Sequence, residues 1–273
     1  MRRAGGSGHW MTGALLAATS LVIASCSAGA TGAPSAGRSN LTIYAAASLA
    51  GALDVATTSY QASHPDITLT ISTGSSAALE TQIEQGAPAD VFLSADTANA
   101  RKLADQGLAA GALVPFAGNL LTIIVPATNP GAVRSPADLA RSGLKIVAAG
   151  DSVPITKYAD QVVRNLATQP GYPAGFATAY AANIVSKEDD VAAVVAKIAL
   201  GEGDAAIVYV TDARTSPTVT AIDIPATANV PATYAGVTVK ASRDAAGAAA
   251  YLAWLAGPDG QAILARFGFL PPP

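Results

Sequence analysis

"IYAAASLAGAL", Ile43 to Leu53, is the stretch whose reading decides the fold. Ile43-Tyr44 opens like a strand, three alanines and one serine follow, and then the apolar spacing changes. Leu49, Leu53, Ala56 and Tyr60 stand at i, i+4, i+7 and i+11, which places them on one face of a helix. A strand thus turns directly into a helix, with the lone hydroxyl of Ser48 among the smallest side chains at the turn.

Working outward, the same alternation recurs. "ITLTIS", Ile67 to Ser72, alternates strictly with period two and reads as a half-buried strand. "VFLSA" from Val91, "LLTIIV" from Leu120, "LKIVAA" from Leu144 and "AAIVYV" from Ala205 are continuous apolar runs, the pattern of strands covered on both faces. Helical stripes lie between them: Tyr158, Val162 and Leu166 in one, Val191, Val194, Val195 and Ile198 in another. The class is α/β with mainly parallel sheet, and no repeat of fixed period is present.

In open α/β sheets, ligands sit beyond the carboxyl ends of strands, where the next helix begins. A helix N-terminus offers unpaired N–H groups and partial positive charge, so it receives an anion without a basic side chain. Ser48 marks one such junction. "STGSSAALETQIE" (Ser72 to Glu84), "GDSVPITKYA" (Gly150 to Ala159) and "SKEDDVAAVV" (Ser186 to Val195) mark three more. Taken singly, each serine or aspartate reads first as a plain helix cap. Tyr209, in an apolar strand, reads by spacing alone first as a core residue with its hydroxyl on a nearby carbonyl.

The chain has 273 residues, 51% hydrophobic and 13% charged, with a net charge of −3. That is too apolar for disorder and lacks the basic stripe of a nucleic-acid binder. At 5%, aromatic residues are also too few for base-stacking platforms. Part of the apolar excess is N-terminal. Arg2 and Arg3 precede "MTGALLAATSLVIAS", Met11 to Ser25, which reads as a signal-peptide core and falls short of the roughly 20 residues a membrane span needs. It runs into "IASC", ending at Cys26, the single cysteine of the chain. One cysteine forms no internal disulfide. The tetrapeptide resembles a bacterial lipobox, whose cysteine is cleaved free and diacylated; an ordinary secretory signal followed by an incidental cysteine is the other reading. "SAGATGAPSAGRSN", Ser27 to Asn40, is a flexible tether spanning on the order of 20 Å. The expected organisation is a signal peptide over residues 1–25, a lipid-anchored linker over 26–40, and a folded part from Leu41.

Catalytic sets are missing. A serine hydrolase needs a base beside its nucleophile, but His9 lies in the signal segment and His64 in the polar turn "SHPD". No nucleophile elbow, phosphate loop, dinucleotide fingerprint or His/Cys cluster is present. Glu188-Asp189-Asp190 suits the first turn of a helix, where carboxylates favour the dipole, and Asp189 and Asp190 are both expected to face solvent. Binding is the better class.

"AAASL", "GSS…L…QIEQGAPADVFLSAD" (Gly74 to Asp96), "VP" before Tyr158-Ala159, "DDVAAVVAKIALGEGDAAIVYVTDA" (Asp189 to Ala213) and "GPDGQAILARFGF" (Gly257 to Phe269) together resemble the molybdate-binding proteins of bacterial ABC transporters. The likeness spans Leu41 to Leu270. It implies a two-lobe periplasmic-binding-protein fold of type II with a hinge of two crossing strands, near Gly118–Val125 and Val230–Val239. Residues 41–120 plus 236–273 would form one lobe and 121–235 the other. It implies five oxyanion donors: the hydroxyls of Ser48 and Ser76 (Ser75 as the fallback), the backbone N–H groups of Ile155 and Val191, and Tyr209. The ligand would be molybdate, with tungstate accepted on size and sulfate the rival, and there would be no cofactor, no catalysis and no direct protein–metal bond. The partners would be a membrane permease with its cytoplasmic ATPase, and the protein a monomer lipid-anchored outside the cytoplasm. Two features depart from the pattern: Ile155 where relatives carry a small residue, and a longer link at "TQPGYPAGF", Thr168 to Phe176.

Overall fold

The computed structural model describes residues 38–273. The signal segment 1–25, Cys26 and most of the tether lie outside the described residues. In chain order the elements are β1 (Ser39–Ala46), a 3-10 turn (Ala47–Leu49), α1 (Ala50–Ser63), β2 (Ile67–Gly74), α2 (Ser76–Glu84), β3 (Val91–Ser94), α3 (Thr97–Asp105), β4 (Ala109–Asn119) and β5 (Leu121–Pro126). After a second 3-10 turn (Pro136–Ala140) come β6 (Ile146–Ala149), α4 (Pro154–Ala167), α5 (Phe176–Ala182), β7 (Ile184–Glu188), α6 (Val191–Ala199), β8 (Ala206–Tyr209) and α7 (Val210–Thr215). β9 (Val219–Asp223), β10 (Ala232–Val239), α8 (Ala245–Ala256) and α9 (Pro258–Arg266) complete the chain.

A five-stranded sheet runs β2-β1-β3-β10-β4. β1 pairs in parallel with β2 and β3, and β10 pairs antiparallel with β3 and β4. Alternation along β3 explains the two-sided cover. Val91 and Leu93 join the apolar cluster that includes Leu53, Tyr60 and Tyr251, while Phe92 joins the opposite one with Leu79, Ile83 and Leu103. The stripe Leu49, Leu53, Ala56 and Tyr60 is fully buried, so α1 and its leading turn lie on the sheet by the face the spacing predicts. Burial of a side chain such as Leu53 contributes about 1.5–3 kcal/mol. Asp96 and Asp244 cap α3 and α8, accepting N–H bonds from Asn99 and Gly247.

A second group of strands comprises the antiparallel β8-β5-β9 and the parallel pair β6-β7, linked by a parallel bridge between Ile146 and Ala205. α4 and α6 cover it. The parallel pairing read from the sequence holds for β2-β1-β3 and for β6-β7. Within "LLTIIV", Leu120 is half-buried and Leu121 to Val125 are buried, as the apolar run predicts, yet β5 pairs antiparallel on both sides. An unbroken run reports cover on two faces, not strand direction.

The chain passes between the strand groups twice. β4 leads through Leu120 into β5, and β9 returns through residues 224–231 into β10. The crossings touch, because Asn119 pairs with Ala232. Nearby, Gly118 N–H donates to Leu270 O at 2.7 Å and Leu270 N–H donates back to Gly118 O at 2.8 Å, which fastens the C-terminal segment to the first crossing. Glycine suits this close approach: a Cβ at Gly118 would stand 3.1 Å from Pro271 O and 3.2 Å from Leu270 Cβ, so the C-terminal segment would have to give by a few tenths of an ångström.

Candidate functional site

Six strands end at one place. Ser48 follows β1, Gly74 closes β2 with Ser75 and Ser76 just after it, and Ala95 follows β3. From the other strand group, Val153, Pro154 and Ile155 follow β6, Asp190 and Val191 follow β7, and Tyr209 closes β8. With Ala46 and Ala47 these residues line one small, tight cavity. Ser48, Ser76, Ile155, Val191, Tyr209 and the fallback Ser75 are all among them, and no residue of Thr168–Phe176 is. Among the described residues, the lining contains no lysine or arginine.

Local chemistry leaves donors free at each position. Ser76 Oγ accepts from Ala95 N–H at 3.0 Å, so its own proton is available. Ser75 is the N-cap of α2 but makes no side-chain cap bond. Val153 and Pro154 start α4, with Pro154 in the first turn, where its missing N–H costs nothing. Ile155 N–H and Val191 N–H, at the starts of α4 and α6, find no acceptor among the described residues. Tyr209 is 1% exposed, and its hydroxyl likewise has no partner there. Burial, reinforced by neighbouring tyrosines and acids, pushes its phenol well above the usual value, so it stays a donor. An orphaned buried hydroxyl is costly unless something fills its need.

Ser48 is tied into a network. Its Oγ lies 2.8 Å from Tyr234 Oη, which accepts from Asn119 Nδ2 at 3.3 Å. Asn119 Nδ2 also donates to Thr211 Oγ1 at 2.9 Å. Asp212 Oδ2 accepts Tyr209 N–H at 3.1 Å, and burial pushes the Asp212 carboxyl up to about 7, with the hydrogen bond opposing.

The acidic pair departs from the expectation that both residues face solvent. Asp189 is exposed, but Asp190 is half-buried and lines the cavity. Asp190 Oδ1 caps α6 through Ala193 N–H at 2.9 Å, and a cap on a helix that begins at the cavity is drawn to its wall. Sequence reasoning also missed Tyr234 and Asn119, which no local motif signals. Among the described residues, no group of three or more His, Cys, Asp or Glu side chains is placed to hold a metal, and no helix is long and apolar enough to cross a membrane.

The chain is 35% identical to the molybdate-binding protein ModA of Mycobacterium tuberculosis over 240 residues, covering 88% of this chain and 87% of that one. The periplasmic molybdate-binding protein of Azotobacter vinelandii superposes with a TM-score of 0.72 at 25% identity, covering 85% of this chain and all (100%) of that one. The sulfate-binding protein SubI of M. tuberculosis shares the fold at a TM-score of 0.75 and 20% identity, over 85% of this chain and 87% of its own. The model of bacterial extracellular solute-binding proteins matches residues 41–270. With its strand ends gathered around one cationless cavity, the chain belongs to the bacterial extracellular solute-binding protein family.

Proposed function

We propose that the chain binds a tetrahedral oxyanion, molybdate and on size also tungstate, and hands it to the permease of an ABC importer. The observation that carries this reading is the buried, unpartnered Tyr209 hydroxyl in a cavity lined by further free donors and no cation. A buried dianion is tolerable only when its oxygens are fully hydrogen-bonded. The Ser48, Ser76 and Tyr209 hydroxyls and the Ile155 and Val191 N–H groups supply such bonds, worth about 1.5–3 kcal/mol each when charge-assisted. Neutral, rigid donors also discriminate better than a lysine, which binds as a mobile point charge. Donors from both strand groups meet on the anion, so binding draws the two groups together as lobes about the crossings, and the closed form is what a permease recognises. The protein has no catalytic role in this reading and acts as a monomer. It is held at the outer face of the membrane by a lipid on Cys26, which mass spectrometry of the mature N-terminus tests.

A second reading, an oxyanion that keeps a proton, such as phosphate, is favoured by Asp190 in the lining. Sulfate is the remaining rival. Calorimetric titration with molybdate, tungstate, sulfate and phosphate separates all three. Molybdate and tungstate are expected to bind tightly and the others weakly; sulfate or phosphate binding as tightly as molybdate overturns the assignment.

A further inference from the structure

The Tyr234 ring is accounted for by packing: it meets Tyr209 at 5.6 Å, Phe269 at 5.4 Å and Phe116 at 6.2 Å between centroids, all edge-on. Its hydroxyl is not. A fully buried phenol on β10 reaches across to Ser48 Oγ at 2.8 Å, and packing alone would be served by phenylalanine.

The direction of that bond follows from the groups behind it. Leu120 N–H donates to Asn119 Oδ1 at 3.0 Å, which fixes the side-chain amide with its NH₂ turned the other way. That NH₂ donates both to Thr211 Oγ1 and to Tyr234 Oη. Tyr234 therefore receives a hydrogen bond from Asn119, and its single proton has one acceptor among the described residues, Ser48 Oγ. Ser48 Oγ, having accepted, has its own proton left for the cavity it lines. Burial holds the Tyr234 phenol protonated, since it raises the pKa well above the usual value.

We infer that Tyr234, oriented by Asn119, is a positioning residue that turns the Ser48 hydroxyl proton toward the bound oxyanion. Asn119 closes β4 and Tyr234 lies on β10, so the hydroxyl that meets the ligand is set from the two crossing strands themselves. The inference rests on the oxyanion reading of the cavity and adds to it residues that do not touch the ligand.

The test is a double-mutant cycle on molybdate binding by titration calorimetry, using Ser48→Ala, Tyr234→Phe and both together, with thermal unfolding of each ligand-free variant. Tyr234→Phe alone is expected to weaken molybdate about tenfold. In the Ser48→Ala background the same change is expected to cost less than twofold, because there is no serine proton left to direct. A purely structural tyrosine would lower affinity equally in both backgrounds, and that outcome overturns the inference, as does unchanged affinity for Tyr234→Phe alone. Should Tyr234→Phe unfold early, Asn119→Ala is the second probe, with the same non-additivity toward Ser48→Ala expected and simple additivity counting against the relay. Failure of the unmutated chain to bind molybdate overturns the oxyanion reading itself, whereas binding that Ser48→Ala weakens but Tyr234→Phe does not overturns only the relay.

Discussion

Asn229 grips Leu121 at both ends of its backbone: Leu121 N–H donates to Asn229 Oδ1 at 3.1 Å, and Asn229 Nδ2 donates to Leu121 O at 2.8 Å. Leu121 begins β5, and Asn229 lies in the returning segment before β10, so one side chain laces the two crossings together. Asn229→Ala removes both bonds from a half-buried place. The expected loss is about 1–2 kcal/mol of folding stability, read from urea denaturation midpoints at unchanged slope.

Tyr209→Phe should separate binding from folding. Loss of a donor to a dianion is expected to weaken molybdate by about 1–3 kcal/mol. The ligand-free protein should be as stable as before or slightly more so, since a buried hydroxyl without a partner has been removed. Calorimetry and a thermal melt on the same sample check both; affinity equal to that of the unmutated chain removes Tyr209 from the site.

Asp212 predicts a pH dependence. Burial raises its carboxyl from an ordinary 3.8 to about 7, so the folded chain holds a proton that the unfolded chain releases across that window. Stability from this group is therefore present on the acid side and is lost as pH rises through about 7, by at most about 4 kcal/mol. Asp212→Asn keeps the shape and cannot ionise. Its stability relative to the unmutated chain should rise between pH 4 and pH 7, roughly, and a constant difference across that range would contradict the assignment.

Gly236→Ala tests the packing of β10. A Cβ there would stand 2.7 Å from Leu252 Cδ1 and 2.9 Å from Leu93 Cδ2, between α8 and β3. Overpacking of this kind costs about 1–3 kcal/mol, measured by chemical denaturation.

Local periodicity made α1 and the strand-to-helix junctions legible. Leu49, Leu53, Ala56 and Tyr60 carry the helix face in their spacing, and the junctions follow from where strands stop, whereas the choice of Ser76, Ile155 and Val191 within them came from the family resemblance. That these junctions share one cavity is a tertiary fact, suggested before the structure only by family resemblance. The antiparallel course of β5 was not legible, because burial on two faces is blind to direction. Asp190 was read by the same helix-cap logic that places it, but a cap's neighbours depend on what its helix faces. Asn119 and Tyr234 are 115 positions apart, and no short-range pattern records a bond across that separation.

The bond pair between Gly118 and Leu270 has a practical consequence. Pro271, Pro272 and Pro273 follow at once, and proline runs are stiff, extending about 3.1 Å per residue. A dye attached to position 272 or 273 would sit on a short stiff stalk rooted at the β4–β5 crossing, at a nearly fixed distance from it. Distances measured from such a label to either strand group would report how the two are arranged around the crossing.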